Sequence, residues 1–494
     1  MTHYHVVSGS TQGLRDTDVF IEFLTDRLQN PGAECSELFD AHKDVIVTRA
    51  PGRLDLMGGI GDYSGSLVLE LPLQAAVHVA IQRNESRRLK IVSLGDEPQI
   101  GTRDTCLPQR VFEMSLEELA SISDYDKARE RFANDREGTW AAYVAGNFIV
   151  LMHERGASFD DGASMLIHSA VPEGKGVSSS AALEVASMQA IATAYEIQLK
   201  PLELALLCQR VENLIVGAPC GVMDQMTATC GEADSLLELL CQPADLKGTL
   251  NIPDELEVWG IDSGIRHWVG GSDYRTVRTA AFMGYRVIAE IAGLKVGKCE
   301  QDGKVIIDDP EWKGYLANIT PEQFERDYAA GVPEEISGED FLKLYQGISD
   351  KVTAVEPGTS YPVRVATSYP VYENSRVKRF AEIVRSGRAA EQASRLGEMM
   401  FESHENYSRC GLGSDGTDEL VALIKAARES GLYGAKITGG GSGGTVAVLG
   451  QRGSGARVRE IARQYQDATG HQPAILSGSS PGAAAFGYLK LKLN

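Results

Sequence analysis

The sequence predicts an α+β protein with two domains, from its length, its composition and the order of its predicted elements. A chain of 494 residues is too long for one compact core. Hydrophobic residues make up 43% and charged residues 23%, as is typical of globular proteins in water. Predicted strands and helices intermingle without a regular βαβ alternation, which favours α+β over a doubly wound parallel sheet. We expect one domain over residues 1–254 and a second over 255–494.

The first predicted domain combines strands with amphipathic helices. Residues 15–28 place their apolar side chains on one helical face, which predicts an N-terminal helix. Short apolar runs predict strands at 45–48, 66–71 and 77–81. Helical patterns follow at 114–136, 140–152, 181–190, 201–214 and late in 217–229.

The second predicted domain begins at a strand over 256–261 and contains a segment of different character. Residues 295–375 are acidic and contain several prolines, so we interpret them as an insertion with short helices. The remaining predicted elements are helices at 377–409 and 416–430 and a hairpin made of 435–438 and 445–449.

The composition argues against several classes of protein. A net charge of −20 without a sustained basic patch argues against nucleic-acid binding. No apolar run approaches the roughly 18–20 residues that cross a bilayer, and no signal peptide is visible, so we expect a cytoplasmic protein. The eight cysteines form no C-x-x-C pair, which predicts reduced thiols and no zinc site. The sequence does not set the oligomeric state.

The segment Pro172-Glu-Gly-Lys-Gly-Val-Ser-Ser-Ser-Ala-Ala182 predicts a nucleotide-phosphate cradle. Its glycines let backbone N–H groups approach an anion, and the helix that follows points its positive dipole end at the same place. Serine hydroxyls at a helix start can bond phosphate oxygens or a Mg²⁺ ion. A serine-capped helix after an ordinary turn is the alternative that this segment alone leaves open.

Two other nucleotide motifs fit less well. A Walker A loop needs Ser or Thr after its lysine, and here Gly176 follows Lys175. The pattern G-x-G-x-x-G begins at Gly411 and again at Gly439, but neither copy has the strand–turn–helix context of a dinucleotide fold.

Three glycine-rich segments stand in a defined order along the chain. They are Pro51-Gly-Arg-Leu-Asp-Leu-Met-Gly-Gly-Ile-Gly-Asp-Tyr-Ser-Gly65, the cradle segment, and Thr438-Gly-Gly-Gly-Ser-Gly-Gly444. Together with Trp140-Ala-Ala-Tyr-Val-Ala-Gly146, Cys208-Gln-Arg-Val-Glu212 and Gly217-Ala-Pro-Cys-Gly-Val-Met-Asp-Gln225, this set resembles the GHMP small-molecule kinases, and in particular their galactokinase branch. The resemblance runs from about residue 45 to about 449, apart from the insertion.

The resemblance implies a fold and a reaction. The N-terminal domain would resemble domain 2 of ribosomal protein S5, and the C-terminal domain a ferredoxin-like sandwich, with the site between them. The reaction would be ATP-dependent phosphorylation of a sugar's anomeric hydroxyl, so the implied partners are ATP and a small sugar. By position, Asp224 matches the carboxylate that takes the hydroxyl proton and Arg53 the arginine beside it. Ser180 and Glu212 match the ligands of Mg²⁺.

The remaining binding residues are also implied by position. Those matching the sugar site are Gly59, Ile60, Asp62, Gly221 and Tyr274. Those matching the ATP and phosphate site are Gly174, Lys175, Gly176, Val177, Ser178, Ser179, Ser180, Ala181, Gly440 and Gly441. Lys175 stands where a small residue is usual, and we interpret it as a solvated loop lysine with a phosphate contact as the alternative. For Asp224, a helix N-terminal cap is the alternative that the residue alone leaves open.

One departure from the galactokinase pattern bears on the substrate. Galactokinases have Glu-His, which grip the sugar's terminal hydroxymethyl group, where this chain has Gly59-Ile60. A hydroxyl buried there without a partner would cost about 1–3 kcal/mol. Arabinose in its pyranose ring is galactose without that group, and the motif is similar to that of the L-arabinokinases. The alternatives are a kinase for galactose or galacturonic acid, and a non-catalytic sugar sensor.

Overall fold

Two β-sheets, one built mainly from each half of the chain, organise the fold. The structure is a computed structural model that describes residues 3–29, 38–94, 110–135, 138–265, 272–298 and 304–493. Over these residues the larger sheet has nine strands: Tyr4–Ser8, Leu489–Leu493, Val45–Met57, Leu67–Asn84, Gly162–Ser169, Arg88–Ser93 and Arg110–Ser115 in spatial order, with Ser235–Leu240 and Asp245–Asn251 added beside Leu67–Asn84. The strand Arg88–Ser93 runs parallel to Gly162–Ser169 within this otherwise antiparallel arrangement.

Helices pack against the larger sheet. The helix Ser179–Ala194 is apolar on nearly all sides, and it packs against both long central strands of the sheet. The side chain of Ser115 caps the short helix Leu116–Ser121, and the side chain of Asp124 caps the next helix, Tyr125–Ala133. The other helices of this half are Arg15–Gln29, Ala142–Arg155, Pro201–Arg210 and Met223–Cys230.

The smaller sheet belongs to the second half of the chain. Its four strands within the described residues are, in order, Leu432–Ile437, Thr445–Gln451, Leu256–Asp262 and Ile475–Ser477. The helices of this half are Ser272–Ile291, Pro321–Gln323, Gly338–Tyr345, Val363–Arg385, Ala393–Arg409, Asp415–Ala426, Gly455–Thr469 and Ala483–Phe486. Among the described helices, none combines the length and the apolar character that a membrane span requires.

Many sequence-based predictions are confirmed. The N-terminal helix, the strand at 256–261, the hairpin near 435–449 and the α+β class all agree with the structure. Free thiols are found, as predicted, at Cys208, Cys220, Cys230, Cys241 and Cys410. The three other cysteines, Cys35, Cys106 and Cys299, and the last residue of the predicted 114–136 helix lie outside the described residues.

Three boundaries were wrong. The predicted strands 66–71 and 77–81 form one strand, Leu67–Asn84, because a register shift opposite Pro72 accommodates the proline without ending the pairing. The start of the predicted 114–136 helix is the end of a strand, Arg110–Ser115. The predicted helix 377–409 is two helices, which are separated at 386–392 and begin earlier, at Val363.

The insertion and the end of the chain both cross the predicted domain division. The segment that starts near 295 holds two small strand pairs and short helices, and it ends where Val363–Arg385 packs on Ser272–Ile291. The last strand, Leu489–Leu493, pairs with Val45–Val47 in the larger sheet. The boundary at 254/255 stays a prediction.

Candidate active site

The first glycine-rich segment forms a buried turn between the two long central strands. Val45–Met57 leads into a 3₁₀ turn over 59–64, and Leu67–Asn84 follows it. Gly58 and Gly59 have φ angles of 118° and 51°, in the region that glycine adopts without strain. The turn thereby places Ile60 and Asp62 at one end of a cleft, with both side chains almost completely buried.

Arg53 and Asp224 form an ion pair in the middle of this cleft. Nε and Nη2 of Arg53 donate to Oδ1 of Asp224 at 3.0 and 2.8 Å. Burial by itself lowers the pKa of Arg53, but the carboxylates of Asp224 and Glu70 raise it above its usual value, so the guanidinium stays charged. Its Nη1 donates to the carbonyl oxygen of Gly176 at 2.7 Å, which connects the pair to the predicted phosphate cradle.

The predicted cradle is a loop at the start of the helix Ser179–Ala194. Gly174 and Gly176 have φ angles of 68° and 69°, and Ser178 has 60°. The Ser178 hydroxyl is buried and has no hydrogen-bond partner within the described residues. A helix N-terminus beside an unpartnered hydroxyl suits an anion, because backbone N–H groups and the helix dipole point at it.

The third glycine-rich run packs its bare backbone against this loop. A Cβ on Gly439 would lie 2.7 Å from the carbonyl oxygen of Gly176, and one on Gly444 the same distance from that of Lys175. Any side chain at these two positions would therefore push the loop away. The run also contacts the first glycine-rich segment, since the Arg53 guanidinium lies 3.0 Å from the same Cβ position on Gly439.

Lys175 differs from its predicted environment. Its Nζ lies 2.9 Å from Oδ2 of Asp262, and the lysine side chain is only 19% exposed. The prediction of a solvated loop lysine was therefore wrong: Lys175 ties the loop to the smaller sheet, because Asp262 ends the strand Leu256–Asp262.

A cluster of buried oxygens lies beside the cradle. Gln225 donates from Nε2 to Glu212 at 2.6 Å and to Glu184 at 3.1 Å, and Ser180 bonds Glu212. Burial, and then the nearby Asp224, raise the pKa of Glu212 to about 7. Sequence analysis missed Glu184, although its place four residues after Ser180 puts both on one helix face.

These oxygens suit a magnesium ion. Within the described residues no three His, Cys, Asp or Glu side chains gather as a metal cluster. Mg²⁺ needs no such cluster, because it usually takes one or two carboxylates together with substrate phosphates. Oε1 of Glu184 is buried and has no hydrogen-bond partner among the described residues. The site therefore has acceptor capacity that its own hydrogen bonds leave unused.

Gly221 and Tyr274 line the cleft at the same end as Ile60 and Asp62. A Cβ on Gly221 would lie 1.7 Å from Oδ2 of Asp62, so only glycine leaves room for this carboxylate. Burial, and then the charge of Asp224, raise the pKa of Asp62 to about 7, while the Arg278 guanidinium opposes the shift. Arg278, which sequence analysis missed, is held by a bidentate ion pair with Asp350 of the insertion, at 2.8 and 2.9 Å.

Many of these groups line one cleft. The predicted site residues that line it are Arg53, Ile60, Asp62, Gly174, Gly176, Ser178, Ser179, Ser180, Glu212, Gly221, Asp224, Tyr274 and Gly440. Five predicted residues do not line it: Gly59, Lys175, Val177, Ala181 and Gly441. Cys220, Met223 and Gly439 line it without having been predicted, and their apolar or bare character gave no chemical signal in the sequence.

Comparisons with protein families match three parts of the chain. The GHMP kinases N terminal domain matches residues 142–232, and the GHMP kinases C terminal domain matches 385–468. The galactokinase galactose-binding signature matches residues 35–83, which contain the buried turn.

Individual relatives agree with these matches. The chain is 44% identical to an L-arabinokinase of Arabidopsis thaliana across 99% of its own length, and it spans 52% of the length of that relative. It is 29% identical to a galactokinase of Chloroflexus aggregans, over 82% of this chain and 83% of the relative. The structure of Lactococcus lactis galactokinase complexed with galactose aligns over 94% of this chain and 99% of its own, with a TM-score of 0.69 at 20% identity, which supports the two-domain fold. The chain therefore carries the GHMP kinases N terminal and C terminal domains together with the galactokinase galactose-binding signature.

Proposed function

We propose that the chain is an ATP-dependent sugar 1-kinase that converts L-arabinose and ATP to L-arabinose 1-phosphate and ADP. The observation that carries the proposal is the combination, in one cleft, of a charged Arg53–Asp224 pair with the apolar side chain of Ile60. The 44% identity to a protein named L-arabinokinase supports the same substrate. The reaction takes place in the cytoplasm.

Asp224 and Arg53 carry the transfer itself. The Asp224 side chain is 19% exposed and lines the cleft, so it can reach a sugar hydroxyl and accept its proton. Arg53 holds that carboxylate with two hydrogen bonds, and its charge stabilises the phosphoryl group during in-line transfer.

ATP binds at the cradle with its phosphates on the loop 174–181 and the run around Gly440 and Gly441. Backbone N–H groups and the Ser178 hydroxyl meet the phosphate oxygens. Ser180 and Glu212 would hold Mg²⁺, which supplies positive charge to the phosphates when bound. To act as a ligand Glu212 must lose its proton, which the positive ion favours.

The selectivity for arabinose comes from the opposite end of the cleft. Ile60 is 1% exposed and offers no hydrogen bond to a hydroxyl on a sixth carbon. Asp62 and Tyr274 remain as polar groups for the ring hydroxyls. An apolar wall rejects an added hydroxyl by only about a hundredfold, so we expect galactose to be a poor but measurable substrate.

Galactose is the second candidate, because the galactose-binding signature covers the buried turn. ADP release by the purified chain, with Mg²⁺-ATP and L-arabinose, D-galactose, D-galacturonate or no sugar, decides between the candidates. We expect the highest kcat/KM with arabinose. A preference for galactose would leave the kinase and overturn the assigned sugar, and sugar binding without any turnover would favour a sensor.

A further inference from the structure

Tyr407 occupies the volume that a side chain at position 59 would need. A Cβ built on Gly59 would lie 1.7 Å from the Tyr407 hydroxyl and 2.6 Å from the ring carbon that carries it. Tyr407 comes from the helix Ala393–Arg409 of the second half, whereas Gly59 opens the buried turn of the first half. The two positions therefore compete for one space across the boundary between the halves.

The hydroxyl of Tyr407 makes hydrogen bonds to both halves of the chain. It accepts from the backbone N–H of Ile60 at 2.9 Å and donates to the carbonyl oxygen of Gly439 at 2.7 Å. Ile60 lines the sugar end of the cleft, and Gly439 lines the cleft beside the cradle. One hydroxyl outside the cleft thus connects both of its ends.

The ring of Tyr407 is held as firmly as its hydroxyl. It is completely buried, and it packs edge to face against Tyr369 with ring centres 5.4 Å apart. Nζ of Lys436 lies 5.2 Å from the ring centre and also pairs with Asp55 at 2.6 Å. Oδ1 of Asp55 accepts from the N–H of Gly59 at 3.1 Å, so a second connection holds the same turn.

We infer that Tyr407 is a positioning residue that fixes Ile60 at the sugar end and thereby sets which sugar the cleft accepts. The inference rests on the proposed function, because it assigns this end of the cleft to the sugar. Without the hydroxyl, the buried N–H of Ile60 has no partner, and the turn that carries the apolar wall loses one of its connections to the second half.

Tyr407→Phe tests the hydroxyl alone, and Tyr465→Phe is its matched control. Tyr465 is buried to the same degree, and its hydroxyl also donates to a backbone carbonyl at 2.7 Å, that of Ser263. For Tyr407→Phe we expect the KM for arabinose to rise about tenfold and the preference for arabinose over galactose to fall by a similar factor, since a buried donor loses its partner. The KM of Tyr407→Phe for ATP should stay close to wild type. For Tyr465→Phe, the KM for arabinose and the preference for arabinose over galactose should also stay close to wild type.

A double-mutant cycle tests the shared volume. Gly59→Ala should reduce kcat/KM for arabinose in the wild-type protein, and it should have an effect at least about ten times smaller in Tyr407→Leu. The reason is that leucine leaves free the volume beside position 59 that the Tyr407 ring and hydroxyl fill. Additive effects in the cycle, or an unchanged sugar preference in Tyr407→Phe, would overturn the inference while leaving the kinase intact. Wild type that phosphorylates none of the sugars would overturn the proposed function and, with it, the inference.

Discussion

The two ends of the cleft differ in how they are formed. The sugar end is the one lined by Ile60, Asp62, Gly221 and Tyr274, and the phosphate end is the one formed by the loop 174–181. Every residue of 51–65 is buried, and both Gly59 and Gly221 face neighbours that leave no room for a Cβ. At the phosphate end Gly174, Lys175 and Gly176 are half-buried, and the helix Ser179–Ala194 begins just after them. Packing therefore defines the sugar end, whereas exposed N–H groups and a helix dipole define the phosphate end.

Because of this difference, we expect sugar selectivity and ATP binding to depend on different residues. Adding or removing even one side-chain atom in a tightly packed wall changes its shape or its stability, because a close-packed interior cannot relax freely. A loop of backbone donors holds any nucleoside triphosphate phosphate and tolerates change in its side chains. We therefore expect substitutions at the sugar end to change the sugar kinetics strongly, and side-chain substitutions in the loop to change the ATP kinetics weakly.

Asp224 lies between the two ends, and its substitution should have the largest effect. Asp224→Asn keeps an oxygen for the Arg53 bonds but removes the proton acceptor, so kcat should fall by about 10²–10⁴-fold. Sugar KM and ATP KM, measured alongside, should change by less than about threefold, since binding uses other groups. Turnover near the wild-type value would show that Asp224 is not the base.

Gly221→Ala tests the packing of the sugar end. The new Cβ would lie 1.7 Å from Oδ2 of Asp62, so the carboxylate would have to move. Overpacking of this kind costs about 1–3 kcal/mol of folding free energy. The KM for arabinose should rise by about 10–100-fold with little change for ATP. Gly358→Ala, at a position with nothing within 4 Å, is the control and should behave as wild type. Equal changes in the KM values of both substrates would contradict the separation of the two ends.

The buried Asp62 predicts a pH dependence of stability without ligand. Because burial raises its pKa to about 7 in the folded state, the folded protein holds this proton more tightly than the unfolded chain, and stability falls as pH rises toward 7. Asp62→Asn cannot ionise, so its Tm should exceed that of wild type by a few degrees at pH 8, and the difference should disappear near pH 4.

The control for this pH effect is an exposed carboxylate. Asp245→Asn on the strand Asp245–Asn251 should give a Tm curve parallel to that of wild type between pH 4 and 8. If Asp62→Asn also ran parallel to wild type, then burial would not raise the pKa of Asp62 in the folded protein.

Lys175 tests the phosphate end and should show the smallest effect. Its ammonium is already paired with Asp262, so Lys175→Met should change the KM for ATP by less than about threefold, because the ammonium is not free to meet a phosphate. The exposed Lys127→Met serves as control. A tenfold or larger rise in KM for ATP, specific to Lys175, would show that this lysine turns from Asp262 to a phosphate.

The phosphate end has a stronger local signal in the sequence than the long-range contacts that hold the sugar end. The loop 172–182 has a local signal, because glycines, serines and a helix-forming run adjoin in one stretch of chain. Arg278 and Asp350 have no such signal, since they lie 72 positions apart and meet only when the insertion folds against the helix Ser272–Ile291. The break predicted between 71 and 77 is absent because the register shift beside Pro72 takes up extra residues of Leu67–Asn84, and the pairing with Val45–Met57 resumes at Ala76.

The sequence by itself determined the α+β class, the family and the chemical groups of the cleft, because these depend on residue types in short, ordered motifs. The tertiary structure decided how the groups are held: that Lys175 pairs with Asp262, and that Tyr407 fills the space beside Gly59. Ile60 and Tyr407 are 347 positions apart, and no local periodicity reports a contact of that range. Only the packing of the two halves against each other brings that hydroxyl to the turn.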